Sequence, residues 1–182
     1  QAKGGETYTY TANFEAADFP YTINYIDQAT GNALQAPVNA DATFGTEVTA
    51  EAVAIDGYVL VSDQQQTITM GVENNVINFY YAADTVGTDP TNPDQGDGIP
   101  DMYQARVDFA ANNGTVNIGH TYVTLLDANG NPAVNGTGYL QQAQIPTATA
   151  NDGFDQASLA WDTTPTAQVA ISGAMTFTAN FT

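Results

Sequence analysis

Apolar and polar residues alternate one by one along several stretches of this chain, a period that suits an extended strand with one buried face. Tyr21, Ile23 and Tyr25 alternate with Thr22 and Asn24, and Ile77, Phe79 and Tyr81 with Asn78 and Tyr80. Ile68, Met70 and Val72 alternate with Thr69 and Gly71. Further on, Tyr103, Ala105, Val107 and Phe109 alternate with Gln104, Arg106 and Asp108, and Met175, Phe177, Ala179 and Phe181 with Thr176, Thr178 and Asn180. The composition agrees. The 25 Thr and 10 Tyr sit well on pleated surfaces, the 16 Asn and 16 Gly supply turns, and the helix formers Lys and Arg number 2 together. The only helical candidates are residues 46–54, rich in Ala and Glu, and residues 139–144, which Ile145-Pro146 would stop. The expected class is mainly β, as two small sheet domains in tandem.

Charge and residue inventory exclude whole classes of function. Twenty acids against two cations leave a formal charge of −18, so no cationic patch for a nucleic acid or an anionic membrane can be built from Lys3 and Arg106. Without cysteine there is no disulfide, thiolate metal site or thiol nucleophile. No run approaches the length of a membrane span, so no membrane insertion is expected. The start, Gln1-Ala-Lys3-Gly-Gly, has neither an apolar leader segment nor a Met and reads as internal to a longer chain.

Two echoes organise the chain. Residues 9–14 (TYTANF) return as residues 176–181 (TFTANF), so residues 1–19 are expected to be the terminal strand of a preceding repeat. Within the unit, Tyr25-Ile26-Asp27 with its Gly31-Asn32 turn is matched by Leu125-Leu126-Asp127 with Gly130-Asn131, a hairpin signal in each case. A Gly-aromatic pair (Gly57-Tyr58, Gly153-Phe154) and a closing strand follow each hairpin. The expected domains are 20–83 and 102–182. Between them, residues 84–101 hold three Pro, three Gly and five acids and read as a linker.

Little chemistry is available. His120, the one histidine, has no further His or Cys for a metal site, and Ser62, Ser158 and Ser172 lie in no nucleophile-elbow context, so an enzyme is not expected and His120 reads as an edge-strand residue. A Lys–Asn isopeptide bond needs a buried Lys, and Lys3 stands in the frayed start. The strongest chemical signal is Asp94, Asp97 and Asp101, spaced D-x-x-D-G-x-x-D with Gly98 at the turn, a sparse version of a calcium loop. The alternative is a solvated spacer stretched by its own repulsion. Trp161, Tyr58 and Phe154 read as core aromatics rather than a sugar-stacking surface, and Asn113-Gly-Thr and Asn135-Gly-Thr as turns.

Residues 20–83 resemble the MucBP (mucin-binding protein) domain of Gram-positive surface adhesins. The resemblance rests on Tyr21-Thr-Ile-Asn-Tyr-Ile-Asp27, Gly31-Asn32, Phe44-Gly45-Thr46, Ile55-Asp-Gly57-Tyr58-Val-Leu60 and Val76-Ile-Asn-Phe-Tyr-Tyr81. Residues 99–182 are similar to adhesin repeats related to the internalin B-repeat, through Ile99-Pro-Asp101-Met-Tyr103-Gln104, Gly153-Phe154, Leu159-Ala-Trp161-Asp162 and the terminal 174–181 run. The resemblances imply β-grasp-like, ubiquitin-like sheets on an extracellular, wall-attached bacterial protein. They imply partners among host mucin or glycoprotein glycans and neighbouring repeats, and they transfer no ligand residues. Two roles compete: a weak, multivalent glycan-binding module, and a non-binding spacer that projects an adhesive tip.

Overall fold

The computed structural model describes residues 4–5 and 7–182, and Lys3 lies outside them. The described residues form twelve strands and three short 3-10 turns, arranged as two sheet regions in tandem. The first region runs β1 (Asp18–Asp27), β2 (Val38–Thr43), β3 (Glu47–Glu51), β4 (Tyr58–Leu60), β5 (Gln65–Thr69) and β6 (Val76–Ala83). Its main sheet is ordered β2-β1-β6-β4, with β1 and β6 parallel in the middle, while β3 and β5 form a separate antiparallel ribbon. The second region runs β7 (Gln104–Asn112), β8 (Gly114–Val116), β9 (His120–Thr124), β10 (Ala148–Ala150), β11 (Ala160–Trp161) and β12 (Met175–Asn180). Its main sheet is ordered β9-β7-β12-β11, again with the first and last strands parallel at the centre, and β8 pairs with β10.

The two regions therefore share one plan, with first and last strands side by side as in a β-grasp sheet. A parallel pair needs a long crossover, most often a helix. Here a strand ribbon and loops fill that place. Residues 46–54, a helical candidate by composition, supply β3 because Val48 and Ala50 point to the core in register with Ile68 and Gln66 of β5. Burial of alternate residues outweighs a helix propensity worth only tenths of a kcal/mol per residue. Residues 139–144 likewise contain only a 3-10 turn, Gln142–Gln144.

Each core grows from the central pair. Tyr25 of β1 sits opposite Phe79 of β6 with ring centroids 6.0 Å apart, and Phe177 of β12 opposite Phe109 of β7 at 5.8 Å, both pairs stacked. Tyr81, Phe79, Phe177 and Phe181 are almost wholly buried, and the Tyr81 hydroxyl donates to the Val53 carbonyl at 2.8 Å. On the opposite face, Asn24 Nδ2 donates to Asn78 Oδ1 and Asn112 Nδ2 to Asn180 Oδ1, each at 2.8 Å and each across the same parallel pair. Tyr58 and Trp161 pack against the two cores as expected, but Phe154 is 41% exposed because it follows a turn centred on Gly153 and stands off the sheet. Residues 7–17 enter no strand, and Tyr10 and Phe14 are more than nine-tenths exposed. Their alternation offers a strand, and a strand needs an edge to pair with.

The hairpin echo extends to the hydrogen bonds, with the second loop one residue shorter. Asp27 N–H donates to the Asn32 carbonyl and Leu34 N–H to Tyr25, while Asp127 N–H donates to Asn131 and Ala133 N–H to Leu125. In both, the Asp carboxylate accepts from the turn: Asp27 from Thr30 Oγ1 and Ala29 N–H, Asp127 from Asn129 and Asn131 N–H.

Residues 84–101 are not stretched by repulsion. Their ends clasp each other. Asp84 at the start accepts the N–H groups of Asp97 and Gly98, while Asp101 at the end accepts Thr85 N–H at 2.8 Å, Thr85 Oγ1 at 2.7 Å and Val86 N–H at 3.2 Å. Asp97 crosses the middle, accepting from Thr88 and Ile99 N–H and from Gln104 Nε2. The segment is an Ω-like loop whose acids act as acceptors for backbone donors.

Three outcomes follow. Phe177→Ala should lower unfolding free energy by about 3–5 kcal/mol in urea titrations, while Phe154→Ala stays within about 0.5 kcal/mol. Asp101→Ala should speed amide exchange at Thr85 and Val86 by about tenfold or more, since the clasp loses three acceptor contacts. The Thr178 and Thr163 N–H groups hold the Asp162 carboxyl below the usual carboxylate range. Its stabilisation is thus complete above the unfolded value of about 3.9 and is lost as pH falls through the lower folded value. Melting temperatures of the parent and Asp162→Asn should differ at pH 7 and converge on acidification.

Candidate functional site

A groove of about 840 Å³ opens in the second sheet region. Three segments wall it: Val123–Leu126 with the Asp127 turn, the return stretch from Asn135 to Tyr139, and Gln141 with Gln144, while Thr88 of the clasped loop closes one side. The geometry starts from glycine. At Gly136 a Cβ would lie 2.5 Å from Leu126 N, and at Gly138 one would lie 2.4 Å from the Thr124 carbonyl oxygen. Only glycine lets this stretch run directly against the end of β9. Leu126 and Thr137 then exchange backbone hydrogen bonds of 3.2 and 2.9 Å, and Gly138 and Ile171 bonds of 2.7 and 2.9 Å.

That pinned backbone sets alternation beyond it. Leu140 is buried in the core while Tyr139 is 47% exposed beside the groove. Gln144, 2% exposed, anchors the floor: its Nε2 donates to the Thr88 and Tyr122 carbonyls, each at 2.8 Å, with Thr121 Oγ1 beside it at 3.0 Å. Its Oε1 accepts Gln141 N–H. One buried amide thus fixes the loop, the edge strand and the groove together, since leaving any of these groups unpaired in the interior costs about 1–3 kcal/mol.

Asp127 lines the groove as a carboxylate. The N–H groups of Asn131 and then Asn129 hold its carboxyl below the ordinary range. Among the described residues no Lys, Arg or His lines the groove. Arg106 lies on β7 in a 2.9 Å ion pair with Asp108.

The sequence-flagged acids are placed apart. Asp97 and Asp101 serve the clasp, while Asp94 Oδ1 lies 3.2 Å from Nε2 of His120, whose ring meets Tyr122 edge-on at 6.0 Å. Among the described residues no group of three His, Asp or Glu side chains comes together as a metal site would require. His120 does stand on an edge strand, β9, as its sequence context suggests. The groove residues were not singled out as a site by the sequence. Asp127 reads there as a turn residue and 139–144 as a helix, although Gly-x-Gly before an aromatic, with a Pro-terminated stretch after it, is the signal that could have found them. No described helix is long and apolar enough to cross a membrane.

Comparison with known proteins bears on the first region. The model of the MucBP domain family matches residues 20–82, 63 of the chain's 182 residues, from β1 through the buried end of β6. No match was found among curated proteins. Among solved structures, the crystal structure of Mub-RV is similar at 15% identity, covering 90% of this chain and 98% of that one with a TM-score of 0.28. The type 2 repeat of the mucus binding protein MUB from Lactobacillus reuteri is similar at 13% identity, covering 90% and 98% with a TM-score of 0.24. Over residues 20–82, this chain is similar to the MucBP domain.

Proposed function

We propose that this chain is a non-catalytic repeat unit of a bacterial cell-surface adhesin, displayed outside the cell and wall-attached through its parent chain, that holds host mucus glycoproteins or their glycans weakly and multivalently. The observation that carries this reading is the match of residues 20–82 to the MucBP domain. The order of motifs in residues 102–182 supports an internalin B-repeat-like partner domain, with residues 9–14 as the closing strand of a preceding unit. Physical support comes from the surface. Tyr10, Phe14, Tyr80 and Tyr139 are exposed, and rings of this kind stack on sugar faces at low entropic cost. A charge of −18 keeps a crowded array soluble.

A second reading, a spacer that binds nothing, is favoured by the clasped loop, which joins the two sheet regions without slack. Mucin-coated surfaces separate the two. A binding unit gives saturable capture that strengthens by about 10²–10⁴ when two or more copies are linked. A spacer gives none in either format. Calcium on Asp94, Asp97 and Asp101 would have to draw together carboxylates that the fold assigns to separate partners; its binding predicts a higher melting temperature with millimolar calcium that chelation reverses. An unchanged melting temperature removes calcium from the proposal.

A further inference from the structure

We propose that the groove between Tyr139, Leu126 and Asp127 is a saccharide subsite selective for uncharged glycan termini over sialylated or sulfated ones. This deepens the adhesin reading above and rests on it.

The lining is mixed in the way a sugar ring is mixed. Tyr139 at 47% exposure and Leu126 at 39% give two apolar surfaces, extended by Val123 and Ala128, while Thr137, Gln141 and the glycine stretch add hydroxyl, amide and backbone groups. A pyranose presents a C–H face to an aromatic ring and a rim of hydroxyls to acceptors, whereas a wholly apolar ligand would strand the polar lining. The volume of about 840 Å³ lies inside the range of small-molecule clefts, and the floor is held by the buried Gln144 amide, so the shape exists before a ligand arrives.

Charge then chooses among saccharides. Among the described residues, Asp127 is the only ionisable side chain of carboxylate, ammonium, guanidinium or imidazole type on the lining. Its oxygens are good acceptors for sugar hydroxyls, a charge-assisted contact. A sialic acid carboxylate or a sulfate ester would meet that anion with no cation to offset it, and the field of the whole chain has the same sign. The selectivity needs no dedicated repulsive pocket, only the absence of a counter-charge on a built floor.

The test uses the full chain, isotope-labelled for NMR, with the uncharged and the sialylated fractions of O-glycans released from mucin as probes. The uncharged fraction should shift amides within residues 124–141, and Tyr139→Ala should abolish those shifts while leaving the remaining spectrum unchanged. The sialylated fraction should bind about threefold or more weakly at low salt, a gap that narrows with added salt and in Asp127→Asn, which keeps an acceptor for the turn. Tighter binding of the sialylated fraction overturns the proposal, as do shifts that map elsewhere or survive Tyr139→Ala. Capture on whole mucin without shifts from either fraction rejects the groove and leaves the adhesin reading standing. Failure of both capture and shifts rejects the two together.

Discussion

Everything in this molecule depends on the parallel pairing of a first and a last strand. In each sheet region the chain returns after a long excursion to lay its closing strand beside its opening one, and an aromatic pair seals the buried side of that seam. An amide pair bridges the open side. Such long-range pairing pays loop-closure entropy before any contact rewards it. The stacked rings and the near-complete burial of Phe79 and Phe177 supply that reward. The turns, ribbons and loops hang on the seam, and the groove hangs on the turns.

The legibility of this structure in its sequence divides along physical lines. Strands with strict alternation, such as Ile77–Phe79–Tyr81 and Phe177–Ala179–Phe181, announce themselves because one face is buried and the period is short. Both Asp–turn–Gly–Asn hairpins are equally plain, since turn chemistry is local. Where composition and pattern disagree, as in residues 46–54, the Ala and Glu content misleads, because a ribbon partner 18 residues away decides the outcome. Phe154 misleads for a similar reason: an aromatic after glycine looks like core until the turn is seen to carry it outward.

The candidate site was the least legible part. It is made of backbone proximity (Gly136 and Gly138 against the end of β9) and of one buried amide that ties three distant segments. Neither feature has a periodic signature. The acidic loop was conspicuous in sequence, but its character came from pairing. Five carboxylates in eighteen residues suggest repulsion or a cation, and the fold answers by aiming several of them at unpaired N–H groups across the loop.

The seam has a further consequence under load. A tether pulling on the leading end of β1 and the trailing end of β6 would draw two adjacent parallel strands past each other lengthwise. All the ladder bonds between them would then resist at once instead of unzipping in turn, and β7 with β12 repeats the arrangement in the second region. Resistance of this kind is governed by the unfolding barrier rather than by equilibrium stability. Small sheets joined in this way can thus hold against a lengthwise pull for longer than their equilibrium stability alone would suggest.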